Sequence, residues 1–191
     1  AQQGAPADVG ANAPPRLSSA VMHRQSKAWT IAFAALSFWA VGALANTTIS
    51  ARNGFKEMQA CKFEGKQSYR AKVKIVKLAK GESPYASLAA VGLRDKKEKR
   101  VVFFYVGKLW GSRNEQWSWV KYLENGKAVK ESEAQGPMPL NEEANWTISW
   151  DQTGMVWYSL EGSAPRTITT RISNPECVLL VSGATAQFHI E

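Results

Sequence analysis

Eighteen consecutive uncharged residues, Ala28–Ala45 (AWTIAFAALSFWAVGALA), follow a basic cluster of His23, Arg24 and Lys27. No other stretch constrains the chain as much. Its length falls just within the roughly 17–25 residues that carry a helix across the hydrocarbon of a bilayer. A helix buried in a soluble core is usually shorter and carries a polar stripe. Two readings follow. In one, residues 28–46 form a retained signal-anchor, a single transmembrane helix with Arg16, Arg24 and Lys27 held in the cytoplasm by the positive-inside bias. In the other, Met22 is an internal start and Ala43-Leu44-Ala45 is a small-x-small site for cleavage before Asn46. Both readings send residues 47–191 out of the cytosol, to the periplasm or the cell exterior, and in the first the N-terminus stays cytoplasmic.

Residues 1–27 are rich in Ala, Gly, Gln and Pro, with Pro14-Pro15 opposing helix. Such a leader cannot bury a core and is expected to be disordered. Residues 46–60 read as a short connection, and the remainder is long enough for one domain with a real core. Two cysteines, Cys61 and Cys177, lie near the two ends of that domain, with no C-x-x-C and no partner cluster for zinc. In an oxidising compartment they are expected to form one disulfide, the alternative being two buried thiols. The formal charge of +8 divides into +2 before residue 28 and +6 after it. A moderately basic domain beside a membrane suits anionic lipid headgroups or an acidic partner subunit. Nucleic acid is not expected, because no helix-turn-helix, RNP or zinc-finger pattern is present.

From Tyr69 the apolar period becomes two. In Tyr69-Arg70-Ala71-Lys72-Val73-Lys74-Ile75, apolar and basic residues alternate as a half-buried strand requires. Further strands are expected over 86–93, 101–106, 116–122, 146–150, 155–160, 167–172, 177–181 and 185–190. Turn signals separate them: Asn125-Gly126 fits a type I′ hairpin, Asp151–Gly154 a tight reversal, and Glu161-Gly162 another. Closely spaced strands with no amphipathic helix between them predict a mainly β fold, an antiparallel sandwich, with a barrel as the alternative.

The segments YRAKVKIVKL, YASLAAVGLRD, VVFFYVG, QWSWVKY and NWTISWDQTGMVWYSLEG resemble, in order, the strands of concanavalin A-like and laminin-G-like β-sandwiches. The W-x-I-x-W-D strand that runs into a turn, and then into a strand ending near Gly, carries the likeness, which covers residues 55–191. The resemblance implies a jelly-roll sandwich whose first and last strands pair, which fits a Cys61–Cys177 bridge. The E-x-D-x-x-E strand of its glycoside hydrolase branch is absent, so the resemblance does not imply hydrolysis.

The residues themselves give no catalytic set. His189 is the one histidine beyond the apolar run, and without a placed nucleophile or carboxylate it reads as a strand residue. Glu142-Glu143 are sequence neighbours in a loop, whereas glycoside hydrolysis needs two carboxyls aimed at one bond across a cleft. No Walker A, G-x-S-x-G or H-E-x-x-H motif occurs. No cofactor or metal is expected, and an enzyme is not. Asn46-Thr47-Thr48 and Asn145-Trp146-Thr147 match the short glycosylation acceptor.

Interaction candidates remain. Trp117 and Trp119 share one strand face, and Trp146 and Trp150 share another. Such rings fill a core, anchor a protein partner or stack on sugars. Arg70, Lys72 and Lys74 line one strand face, and Lys96, Lys97, Lys99 and Arg100 sit in a charged hairpin loop; the bland reading is a solvated face and a guarded turn. The leading expectation is a non-enzymatic accessory or structural subunit of a membrane assembly. Its helix would pack against other subunits through small residues such as Ala32, Ala35, Gly42 and Ala43, and its sandwich on their extracytoplasmic face. The alternative is a membrane-tethered, lectin-like carbohydrate-binding module.

Overall fold

The computed structural model describes residues 46–62, 67–79, 86–95, 97, 99–108 and 115–191, the side chains of 60–62 excepted. The leader, the apolar run, Lys96 and the side chain of Cys61 therefore lie outside the described residues. No described helix is long and apolar enough to cross a membrane.

Among the described residues, eleven antiparallel strands form one hydrogen-bonded ladder that folds over on itself. They are β1 (Thr47–Lys62), β2 (Ser68–Leu78), β3 (Leu88–Asp95), β4 (Arg100–Gly107), β5 (Glu115–Glu124), β6 (Lys127–Glu131), β7 (Gln135–Pro139), β8 (Ala144–Trp150), β9 (Met155–Leu160), β10 (Arg166–Thr169) and β11 (Glu176–Ile190). The hinge of the fold is β11. Its first half, Glu176–Ser182, pairs with β3, and its second half, Ala184–Ile190, pairs with β2. Between them Gly183 sits at φ 54°, a left-handed conformation that side-chain-bearing residues resist. Alongside, β1 pairs with both halves and is irregular between Ala51 and Phe55, opposite the bend.

Two sheets result, sharing β1 and β11. Sheet A runs β10-β9-β8-β2-β11, and sheet B runs β11-β3-β4-β5-β6, with β7 also on β5. Their inner faces meet in one core, where Phe104 of sheet B lies 5.5 Å from Trp146 and 5.6 Å from Tyr158 of sheet A, centroid to centroid. Sheet A strands alternate: Tyr69, Ala71, Val73 and Ile75 point inward, as do Trp146, Ile148 and Trp150.

Sheet B is buried on both faces along β3, β4 and the first half of β11. Val91, Phe104, Val120 and Leu179 join the inner core, while Leu88, Ala90, Phe103, Tyr105, Leu123, Val178 and Leu180 form a second apolar cluster on the outer side. Gly92 makes room for it, since a Cβ there would meet Phe103 Cδ1 at 2.7 Å and the Val102 carbonyl at 2.9 Å. Tyr105 stacks on Trp119 at 5.1 Å in this cluster. Burial, then the negative charges of Glu131 and Glu57, push its phenol well above the ordinary range.

Most expected strands are present, and the turns at Asn125-Gly126 and Glu161-Gly162 have positive φ at both residues. Three corrections are needed. The stretch read as a connection, 46–60, is largely the sixteen-residue strand β1. The separate strands expected at 177–181 and 185–190 are one bent strand, and the strand expected over 167–172 is β10, which ends at Thr169. The pairing of first and last strands holds, with Cys61 directly opposite Cys177 in the register.

Candidate functional site

The outer face of sheet A is built by alternation. Because inward positions on β2, β8 and β9 are apolar, the intervening residues turn outward, and the register sets them in rows. One row is Thr167–Trp157–Ser149–Ser68, and the next is Ser159–Thr147–Arg70. A third joins Asn145, Lys72 and His189, and a fourth joins Lys74, Gln187 and Thr48. Hydroxyls, amides and cations cover this surface, with one large ring in it. Trp157 keeps 36% of its surface exposed, whereas Trp146 keeps 1% and Trp150 6%.

The third and fourth rows border a shallow depression of about 200 Å³, lined by Asn46, Thr48, Lys72, Lys74, Gln187 and His189 among others. His189 is clasped at both nitrogens, with Nδ1 3.1 Å from Asn46 Oδ1 and Nε2 3.0 Å from Glu191 Oε1. Lys72 Nζ lies 3.4 Å from the same carboxylate oxygen. The His189 hydrogen bond, and then Lys72, hold the Glu191 carboxyl below its usual value. Beside this clasp, Glu161 accepts bonds from the Asn145 backbone N–H at 2.7 Å and from its Nδ2 at 3.0 and 3.2 Å. Asn145 is thus fixed against Glu161, with its Oδ1 buried.

The sequence candidates separate under this geometry. Arg70, Lys72 and Lys74 stand in line on β2 and belong to the sheet A face. Lys97, Lys99 and Arg100 lie at the β3–β4 turn, on another part of the surface. Trp117 and Trp119 are half-buried on β5, and Trp119 packs on the outer cluster of sheet B. Trp146 and Trp150 are not surface residues: they fall on the inward phase of β8 and fill the core, Trp150 edge-on to Tyr69 at 6.2 Å. As interaction candidates they are corrected. Trp157 and Gln187 were not singled out as interaction candidates by the sequence, and Asn145 stood out only in a glycosylation acceptor. The alternation of Val156, Tyr158 and Leu160 carries the signal that puts Trp157 outside.

The surface offers recognition chemistry. Cationic and amide donors, hydroxyls that donate or accept, and one exposed ring are the groups that bind polyhydroxylated ligands. Among the described residues no group of three His, Cys, Asp or Glu side chains is arranged to hold a metal ion.

No family model matches the chain, and no curated protein sequence does. Solved structures do match. A carbohydrate-binding module, CBM66 from Bacillus subtilis, superposes with a TM-score of 0.54 at 14% identity, over 80% of this chain and 96% of that one. The Caenorhabditis elegans galectin LEC-6 superposes with a TM-score of 0.51 at 11% identity, over 80% of this chain and 99% of that one. The chain shares the antiparallel β-sandwich fold of these two structures. At these identities the likeness is one of architecture.

Proposed function

We propose that the domain is a non-catalytic saccharide-binding module that reads glycan on the outer face of sheet A. The observation that carries this reading is the contrast on that face: four rows of polar side chains set by strand register, with Trp157 as the exposed ring among them. A sugar ring stacks its C–H face on an aromatic while its hydroxyls reach neighbouring amides, hydroxyls and cations, and this surface supplies both partners. The galectin and the carbohydrate-binding module share the sandwich, which supports the reading at the level of the scaffold.

The test is a polysaccharide and glycan panel with the full-length chain, followed by titration of any binder. Trp157→Ala is expected to weaken binding at least about 10-fold while changing stability by less than about 1 kcal/mol, as an exposed site should. Trp157→Tyr is expected to keep part of the affinity. A panel without binders, or a Trp157→Ala protein that binds unchanged, would overturn the assignment.

One observation favours a second reading, an accessory subunit anchored through Ala28–Ala45 with its sandwich outside the membrane. Trp117 and Trp119, half-buried on β5 with Trp119 packed on the second apolar cluster, are rings of the kind enriched where protein packs on protein. Gentle detergent extraction and mass spectrometry should then recover stoichiometric membrane subunits, and Trp119→Asp should release them. Recovery of the chain alone from its native membrane would count against it.

A further inference from the structure

The bend at Gly183 brings the far ends of both sheets to one end of the sandwich, and cations collect there. Lys97 and Lys99 are exposed in the β3–β4 turn, Lys127 follows the Asn125-Gly126 turn, and Arg171 lies exposed in the segment crossing from sheet A to sheet B. Hydrogen bonds knit these loops together. Asn125 N–H donates to the Lys99 carbonyl at 3.0 Å, Arg100 Nη1 to the Arg171 carbonyl at 3.1 Å, and Arg171 N–H to the Tyr122 hydroxyl at 3.2 Å. From sheet A, exposed Arg70 joins the same end, its backbone bonded both ways to Glu191.

Four of the described acids at this end are engaged by the fold, and a fifth, Glu176, is half-buried opposite Arg94. Asp95 is 3% exposed and accepts from the N–H and hydroxyl of Ser173. Glu124 accepts from Tyr122 and lies 3.6 Å from Arg100. Asp151 accepts from the Thr153 hydroxyl and N–H and from Met155 N–H, and these bonds, the hydroxyl first, lower its pKa. Glu191 is tied to His189 and Lys72. The bend end carries both signs. Glu115, Glu142, Glu143 and Glu161 are exposed there, and so are Arg52, Lys56, Lys77 and Arg166, with Lys108 half-buried. Exposed charge is thus cationic at the first end and mixed at the bend end.

Its first strand starts at the basic end: Thr47 lies opposite Phe188, and Asn46, directly after the apolar run, contacts His189. We propose that this basic end docks on an anionic phospholipid surface and turns the bend end away from it. Cations near such a surface are attracted additively, and the attraction decays within a Debye length of roughly 8–10 Å. Cations gathered at one end, with mixed charge at the other, orient the body as well as holding it. The proposal does not depend on what sheet A binds.

The test uses the full-length chain with phosphatidylcholine vesicles and with vesicles containing phosphatidylglycerol, read by flotation and by amide hydrogen exchange. The expected result is slowed exchange over 97–100, 125–128 and 170–173 on anionic vesicles alone, reversed by 0.5 M salt (roughly 4 Å Debye length), with 140–143 unaffected. A K97E/K99E/K127E variant should lose that protection and, where flotation is charge-driven, bind about 100-fold less, while its thermal melt stays in place. Equal exchange on neutral and anionic vesicles, or protection at 140–143 instead, would overturn the proposal. So would protection by a soluble acidic polysaccharide with none by vesicles, which would make the partner a polyanion in solution.

Discussion

From Cys177 to Ala186 every residue of β11 is buried, whereas beyond them Gln187 is exposed and His189 half-buried, with Phe188 inward between the two. One strand therefore belongs to two kinds of sheet. Its first half lies in sheet B, where β3 and β4 (LAAVGLRD and RVVFFYVG) are also buried on both faces for most of their length. Its second half lies in sheet A, where YRAKVKI and NWTISW alternate. Continuous apolar runs make a layer covered on both sides, and alternating ones leave a face for solvent or ligand. On the proposed function, stability concentrates in sheet B and recognition in sheet A.

The largest effect expected from testing that division concerns the shared strands. Cys61 stands opposite Cys177 at the sheet B end of β1 and β11, and directly opposite residues of an antiparallel pair share a face. The disulfide anticipated from the sequence is therefore proposed at this position. In the chain-entropy account, a bridge closing so long a loop contributes on the order of 4–5 kcal/mol. Oxidised protein should show no alkylatable thiol after denaturation, and reduction should lower its unfolding free energy by about that amount. Two alkylatable thiols in protein purified without reductant would show that pairing of the strands, without a covalent tie, holds this end.

Next comes a direct contrast between the outer faces. Leu180 is 1% exposed on the outer side of sheet B, and Thr147 is exposed on that of sheet A. Leu180→Ala should cost about 2–5 kcal/mol in urea unfolding, as deletion of a buried leucine side chain does. Thr147→Ala should stay within about 0.5 kcal/mol. Similar losses at the two positions would erase the distinction between a covered and an open face.

The same division explains what could be read without coordinates. β9 falls on Met155–Leu160, the range its own alternation predicts, and β2 is anchored by alternating basic and apolar residues. β1 has no such signature: Arg52-Asn53-Gly54 interrupts it, the register slips between Ala51 and Phe55, and its extended form comes from pairing with β11. β6 is KAVKE with all five residues exposed, so no buried face writes a period into it. For the candidate site, the cation line on β2 was legible because it lies on one strand. The placing of Asn145 and His189 beside Lys72 was not, since it depends on cross-strand register between segments far apart in sequence. Trp146 and Trp150 show the remaining ambiguity. Spacing puts them on one face of β8, but only packing against Phe104 and Tyr69 decides which face is inside.

The smallest expected effect lies at the seam where the sheets meet. Tyr122 of sheet B is buried, donates to Glu124 Oε1 at 2.5 Å, and accepts the Arg171 N–H that arrives from sheet A at 3.2 Å. Burial, and next the bond to Glu124, push its phenol up from 10.0 to about 12, against the opposing pull of Arg171. The folded state holds this proton more tightly than the unfolded chain does. The associated stability is therefore complete below pH 10 and is lost as pH rises from 10 toward about 12. Tyr122→Phe should cost about 0.5–1.5 kcal/mol at neutral pH, because the Arg171 N–H loses its acceptor. It should also flatten part of the fall in Tm through the alkaline window, with one late-titrating tyrosinate missing from the absorbance at 295 nm. If the Tyr122→Phe profile runs parallel to the parent's across that window, the seam between the binding face and the stabilising sheet does not pass through this hydroxyl.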